Sequence, residues 1–167
     1  MKYLETIIKK LDLKPHPEGG YFKETYRSHG KINQGSLDDS FEGSRNYSTC
    51  IYFLLTSETF SAFHRIKQDE IWHFYEGSPI VLHTISEQGK HQEFFIGIDF
   101  SKNQTPQLVV PAGSLFAAKV LEKDSYALVG CTVSPGFDFK DFELPSKKEL
   151  IAKFPQHKDL IKQFTRG

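Results

Sequence analysis

His64-Arg65-Ile66-Lys67-Gln68-Asp69-Glu70, followed by six residues and Gly77, and then Pro111-Ala112-Gly113 about a strand pair later, is the stretch on which the reading of this chain turns. The runs on either side of Lys67 to Asp69 are short and rich in Phe, Tyr, Ile and Trp, as strands are. Strand side chains alternate between two faces. If His64 points inward, Ala62 and Ile66 do so too. An inward Glu70 brings Trp72 and Phe74 with it and leaves Ile71 and His73 outside.

Working outward, similar runs occupy about 21 to 28, 47 to 56, 59 to 66, 70 to 76, 79 to 86, 91 to 98, 107 to 110, 115 to 121 and 125 to 134. Turn chemistry separates them at Gly77-Ser-Pro79, Gln88-Gly89, Pro111-Ala-Gly113 and Glu122-Lys-Asp124. Many short strands with short links predict an all-β barrel or sandwich with antiparallel connections. Leu4, Ile7, Ile8 and Leu11 recur at helical spacing, so a helix spans about 3 to 12 until Pro15 and Pro17 end it. Ser146-Lys-Lys-Glu149 is a capping box ahead of Leu150, Ile151 and Phe154, and a last turn carries Leu160, Ile161 and Phe164. The helical tail is thus expected over about 147 to 164. The segment His29 to Gly43 is rich in Gly, Ser, Asn and Asp and reads as a surface loop, a candidate lid over a barrel mouth.

Composition narrows the function. The 167 residues suit one domain, with 21 basic and 21 acidic side chains in balance. No basic surplus exists for a polynucleotide partner. Cys50 and Cys131 sit in apolar runs without metal-binding spacing, which predicts reduced thiols and a cytoplasmic setting. Neither a signal peptide nor a membrane-spanning run is expected.

The spacing around His64, Glu70, Gly77, Pro111 and Gly113 resembles the two motifs of the cupin superfamily, in which three histidines and one glutamate converge on a metal. Ile66 stands at the second histidine position and Phe116 at the third. Further segments, His16-Pro-Glu-Gly-Gly20 through Arg27 and Gly130 through Phe142, resemble the cupin type 5 subfamily, a domain of unknown function. The resemblance runs roughly from Leu11 to Leu144. It implies a double-stranded β-helix, the cupin jelly-roll barrel, with short accessory helices at both termini. It also implies a homodimer and places Phe116 and Ala118 on the inner lining.

The expected cavity is therefore aromatic and apolar, with His64 and Glu70 as its polar groups, a makeup suited to a small-molecule ligand that is sugar-like, nucleotide-like or aromatic. Trp72, Phe74, Phe116 and Tyr52 are its candidate ligand-binding residues. Arg27 and Arg45 are candidates to meet an anionic group, because a guanidinium matches a carboxylate or phosphate bidentately. His64 and Glu70 are candidate catalytic residues, as an acid/base pair, and equally read as a hydrogen-bonded structural pair beside a surface salt bridge of Arg65. An alternative function is a metal-independent epimerase with His64 as base and Tyr52 or Tyr126 as acid. Stable divalent sites use three or four protein ligands. A further alternative is a metal-dependent oxygenase or isomerase with an incomplete ligand set, and no cofactor is expected beyond a weak divalent metal at His64 and Glu70, with His83 or His73 as a third ligand.

Overall fold

Chain order in the computed structural model, which describes residues 2–166, begins with helix α1 (Lys2–Lys10) and continues through strands close to those read from the sequence. These are β1 (Lys14–Pro15), β2 (Tyr21–Arg27), β3 (Lys31–Ile32), β4 (Arg45–Asn46), β5 (Thr49–Thr56), β6 (Phe60–His64), β7 (Asp69–Gly77), β8 (Ile80–Ile85) and β9 (His91–Ile96). They continue as β10 (Gln104–Thr105), β11 (Gln107–Val110), β12 (Leu115–Val120) and β13 (Tyr126–Ser134), before helices α2 (Lys147–Lys153) and α3 (Lys158–Gln163).

One sheet has the order β1-β2-β5-β13-β7-β11 and the other β10-β9-β8-β12-β6. The chain crosses from one sheet to the other at β5 to β6, β6 to β7 and β7 to β8, and again around β11, β12 and β13. This is the jelly-roll arrangement of a double-stranded β-helix. Pairing is antiparallel throughout the long strands, with Cys131 opposite Trp72 and Val133 opposite Glu70. Gly77 ends β7 with φ +101, and a Cβ there would lie 2.2 Å from the Tyr126 carbonyl oxygen, so only glycine fits that corner.

Alternation divides the apolar residues among three cores. Phe53, Leu55, Trp72, Leu82, Phe116 and Val129 fill the space between the sheets. The outer face of the second sheet is closed by Leu150 of α2, Ile161 of α3 and Phe164, which pack on Phe63, Ile85 and Leu115. α1 covers the outer face of the first sheet, where Ile7 and Leu13 meet Leu54. Ser146 caps α2 through the reciprocal bond with Glu149 that the sequence predicts. Both cysteines are free. Among the described residues no helix is long and apolar enough to cross a membrane.

Candidate functional site

A cavity of about 310 Å³ opens at the ends of β2, β5, β7 and β13, and the segment Phe137–Phe142 forms one of its walls. Its aromatic surface comes from Phe22, Phe137, Phe139 and Phe142, and its polar groups include His16, Glu18, His64 and Glu70.

His64 ends β6 and is 2% exposed. Its Nδ1 lies 2.7 Å from the Ala62 carbonyl, which can only accept, so Nδ1 carries a hydrogen. Nε2 lies 2.6 Å from Glu18 Oε2. Burial alone lowers the imidazole pKa, but the Glu18 charge and hydrogen bond outweigh it, with a smaller contribution from Glu70, and the net shift is upward. Burial likewise raises the Glu18 carboxyl, and the imidazole more than reverses that, so Glu18 stays below its ordinary value. The pair is an imidazolium held by a carboxylate.

Glu70 behaves oppositely. It is 8% exposed and lines the cavity. Burial and the neighbouring charge of Glu18 push its pKa up to about 7, against weaker lowering by His64. The Cys131 thiol and the Trp72 indole N–H lie close enough to favour the carboxylate, but the indole nitrogen is outside hydrogen-bond geometry. Glu70 therefore faces the cavity with the Cys131 thiol and the Trp72 indole beside it and with no ion-pair partner among the described residues. The expectation of a hydrogen-bonded His64–Glu70 pair is corrected here: the carboxylate bonded to His64 belongs to Glu18.

Glu18 was not legible as a site residue. It reaches His64 from the turn His16–Gly20, where Gly19 N–H donates to the His16 carbonyl and His16 N–H to that of Gly20, each at 3.0 Å. Gly19 has φ +112, and a Cβ would fall 2.1 Å from the Phe60 carbonyl oxygen. The turn is pressed against β6, where Ala62 N–H donates to the Glu18 carbonyl at 2.8 Å. Arg166 adds bonds to the Glu18 and Phe60 carbonyls, both 2.5 Å. The only sequence signal was the His-Pro-Glu-Gly-Gly run, in which the paired glycines mark the turn. His16 Nδ1 accepts the Glu18 N–H at 3.2 Å, so this ring is neutral with its hydrogen on Nε2, and burial lowers its pKa.

The remaining candidates are dispersed. Trp72 and Phe116 are 1% exposed and sit with Phe74 in the central core, backing the cavity rather than lining it. Phe116 supports the His64 ring at 4.0 Å between centroids. Tyr52 faces the opposite side of its sheet, beneath α1, and so does Tyr126, whose hydroxyl bonds Glu76 and whose pKa is raised by burial and that bond. Neither tyrosine can act as an acid in the cavity.

Arg45 is also corrected. It is 3% exposed and bonds both Asp141 oxygens at 2.7 Å, with further bonds to the carbonyls of Glu42, Gly43 and Ser44. Arg27 does line the cavity, yet its guanidinium already holds Glu24 bidentately at 2.8 and 2.9 Å, along with Asn46 Oδ1 and the Phe137 carbonyl, both at 3.0 Å. Arg65 forms the surface salt bridge expected of it, with Glu143 at 2.6 Å. No residue of 29–43 lines the cavity, so the wall beside its mouth is Phe137–Phe142 instead.

A cupin metal centre was tested against these positions. Ile66 and Phe116 replace two of its histidines, and both nitrogens of His64 are engaged. His83 lies on the far face of the second sheet, bonded to His91 at 3.0 Å, and His73 lies outside the first sheet, 3.0 Å from Thr132 Oγ1. Among the described residues no group of three or more His, Cys, Asp or Glu side chains is arranged to hold a metal ion. The residues do not fit the group.

Comparison with known proteins agrees with the fold. The family model described as Cupin superfamily (DUF985) matches residues 5–145. The uncharacterized protein YML079W of Saccharomyces cerevisiae is 34% identical over 148 residues, covering 83% of this chain and 73% of the relative. A solved structure of protein SO0799 from Shewanella oneidensis has a TM-score of 0.86 at 38% identity, covering 97% of this chain and 96% of that one. A hypothetical protein from Leishmania major reaches 0.88 at 35% identity, with 98% of each chain covered. Oxalate decarboxylase from Bacillus subtilis, at 17% identity, TM-score 0.54 and coverage of 90% of this chain and 36% of its own, shares the fold alone. From the strand topology, the retained His64 and Glu70, and the match along most of its length, the chain belongs to the cupin superfamily, in the group described as DUF985.

Proposed function

We propose that the barrel cavity binds a small organic molecule and that Glu70 is the group that exchanges a proton when it does so, in a chemistry that needs no bound metal. The observation that carries this reading is Glu70 itself: a buried carboxyl with no ion-pair partner among the described residues, on the wall of a partly aromatic cavity, with a pKa of about 7. A general acid or base works best when its pKa lies near the ambient pH. His64 is a poor base, because its proton is held by Glu18. The epimerase scheme with a histidine base and a tyrosine acid therefore loses both groups, and any isomerisation would run through Glu70 alone. Binding without turnover is the simpler form of the same reading. The homodimer implied by the resemblance remains part of it.

Ligand-observed NMR over a panel of sugars, nucleosides and small aromatics tests the binding, with Val133→Phe, which fills the cavity, as control. Binding by the native chain and its loss in Val133→Phe is expected. Equal signals from both proteins, or none from either, would overturn the proposal. Solvent deuterium incorporation into keto-sugars, compared between the native chain and Glu70→Gln, separates turnover from binding, and sedimentation equilibrium reads the oligomeric state.

A further inference from the structure

The charges that line the cavity do not balance. Four carboxyls, Glu18, Glu24, Glu70 and Asp138, face two cationic groups, Arg27 and His64, beside the neutral His16 ring whose pKa burial lowers, and no lysine is present among the described lining residues. The cations are already committed. His64 is 2.6 Å from Glu18, and Arg27 holds Glu24 through two bonds. That leaves Glu70 and Asp138. Asp138 accepts the Lys140 N–H at 2.9 Å, which caps the short turn Phe139–Asp141, and it forms no ion pair among the described residues, although Arg27 and Arg45 feel its charge. Glu70 is more than nine-tenths buried, faces the cavity beside the neutral Cys131 thiol and Trp72 indole, and has no ion-pair partner among the described residues.

The walls between these carboxyls are phenyl rings. Phe137 and Phe139 pack edge to face with centroids 4.9 Å apart, and Phe142 lies 5.9 Å from Phe139. Phenyl faces carry partial negative charge and attract cations, most strongly where water is excluded. An anionic ligand would meet two carboxyls that no direct ion pair holds and no free guanidinium. A cation would meet the carboxylates and the rings together.

We infer that the ligand is a small organic cation, an amine or quaternary ammonium bearing an apolar or flat group, seated with its charge toward Glu70 and its body against the phenylalanine wall. This rests on the cavity being a small-molecule site. It narrows the ligand class from sugar-like, nucleotide-like or aromatic to compounds with a positive charge, and it excludes phosphate-bearing ones. Binding stabilises the Glu70 carboxylate, so the cavity releases a proton when a cation enters near neutral pH.

Four probes with one aromatic body test it: benzyltrimethylammonium, benzylamine, benzyl alcohol and benzoate, titrated calorimetrically into the full chain in buffers of different ionisation enthalpy. At about pH 8 the quaternary ion is expected to bind at least about ten-fold more tightly than the alcohol, with benzoate weakest, and the preference is expected to shrink at about pH 6 as Glu70 takes up its proton. Because the quaternary probe does not titrate, that pH dependence reports on the protein. Glu70→Gln is expected to bring the cation down to the level of the alcohol, and Asp138→Asn to weaken it less, with melting curves confirming that both variants fold. Benzoate or the alcohol binding as tightly as the cation, or a preference unchanged in Glu70→Gln, would sink the inference while leaving the small-molecule site in place. No binding of any probe, with native and Val133→Phe proteins behaving alike, would remove both.

Discussion

Two carboxyls beside one imidazole are driven in opposite directions, because the His64 charge and hydrogen bond act on Glu18 while the Glu18 charge acts on Glu70. Glu18 is bonded to His64 and is held below the ordinary carboxyl pKa; Glu70 feels the same burial without such a bond and rises to about 7. Stability should follow. A carboxyl with a raised folded pKa binds more protons folded than unfolded, so its burial costs stability increasingly as pH rises from about 4.5 to about 7 and by a constant amount above. Glu70→Gln is therefore expected to match the native chain in mild acid and exceed it above about pH 7 by at most about 3 kcal/mol, read from urea unfolding across pH. Glu18→Gln has the reverse effect. The lowered Glu18 contributes stability above its unfolded pKa, and the raised His64 contributes it fully below about 6.5, losing it as pH climbs through the folded value. The loss in Glu18→Gln should peak at about pH 5 to 6 and reach about 3 kcal/mol, since one buried partner is left without its counter-charge. NMR of His64 should show its pKa falling in that variant; a pKa left unchanged would mean that Glu18 does not hold the proton.

At the scale of elements, the phenylalanine wall is a segment without strands that is pinned at several points. Gly136 N–H donates to the Asn46 carbonyl at 2.7 Å, and Arg65 and Glu143 exchange backbone bonds of 3.0 Å. Between these anchors Asp141, 1% exposed, receives Arg45 and Gln68 Nε2, each at 2.7 Å. Arg45→Met would leave Asp141 buried and unpaired, with an expected loss of about 3 to 5 kcal/mol. The double variant with Asp141→Asn should regain part of it, and a double-mutant cycle in urea measures how much. If the two losses simply add, the ion pair does not organise the wall. These elements also show what could be read from the sequence. The long strands were legible because alternation and turn residues are local signals. His64 and Glu70 were legible through their spacing. Glu18 was not, since a glycine turn carries it to a histidine 2.6 Å away but far along the chain. The wall was not, because its phenylalanines follow no period. Trp72 and Phe116 were correctly placed inward, but they lie deeper than the cavity reaches.

Taken as a whole, the molecule mixes opposite pH responses on its cavity side, where Glu70 and His16 oppose each other, and places two histidines of one response on the other side. On the cavity side Glu70 makes acid stabilising. Beyond the second sheet, where α3 packs, His83 is buried against Phe164 at 5.1 Å, and its Nδ1 shares a hydrogen bond with His91 Nε2 at 3.0 Å. One hydrogen serves that bond, so protonating both rings breaks it and sets two cations side by side. Burial lowers the His83 pKa, Glu93 at 3.6 Å favours the charged form, His91 and Lys119 oppose it, and the net shift is downward. His91 is lowered as well, first by burial and then by His157, whose Nε2 bonds the Gly89 carbonyl at 2.7 Å. A histidine with a lowered folded pKa contributes stability above about 6.5 and loses it as pH falls through the folded value. Acid should therefore loosen the helical face, where both histidines respond alike, more than the cavity side, where the raised Glu70 offsets the lowered His16. Hydrogen exchange at constant denaturant should show the amides of α3 accelerating as pH falls from about 6.5 to about 5, after correction for intrinsic rates, ahead of those of β5 and β13. His91→Gln, which keeps a neutral partner for His83, should reduce that acceleration. Uniform acceleration of helices and strands would mean that the two faces titrate as one cooperative unit.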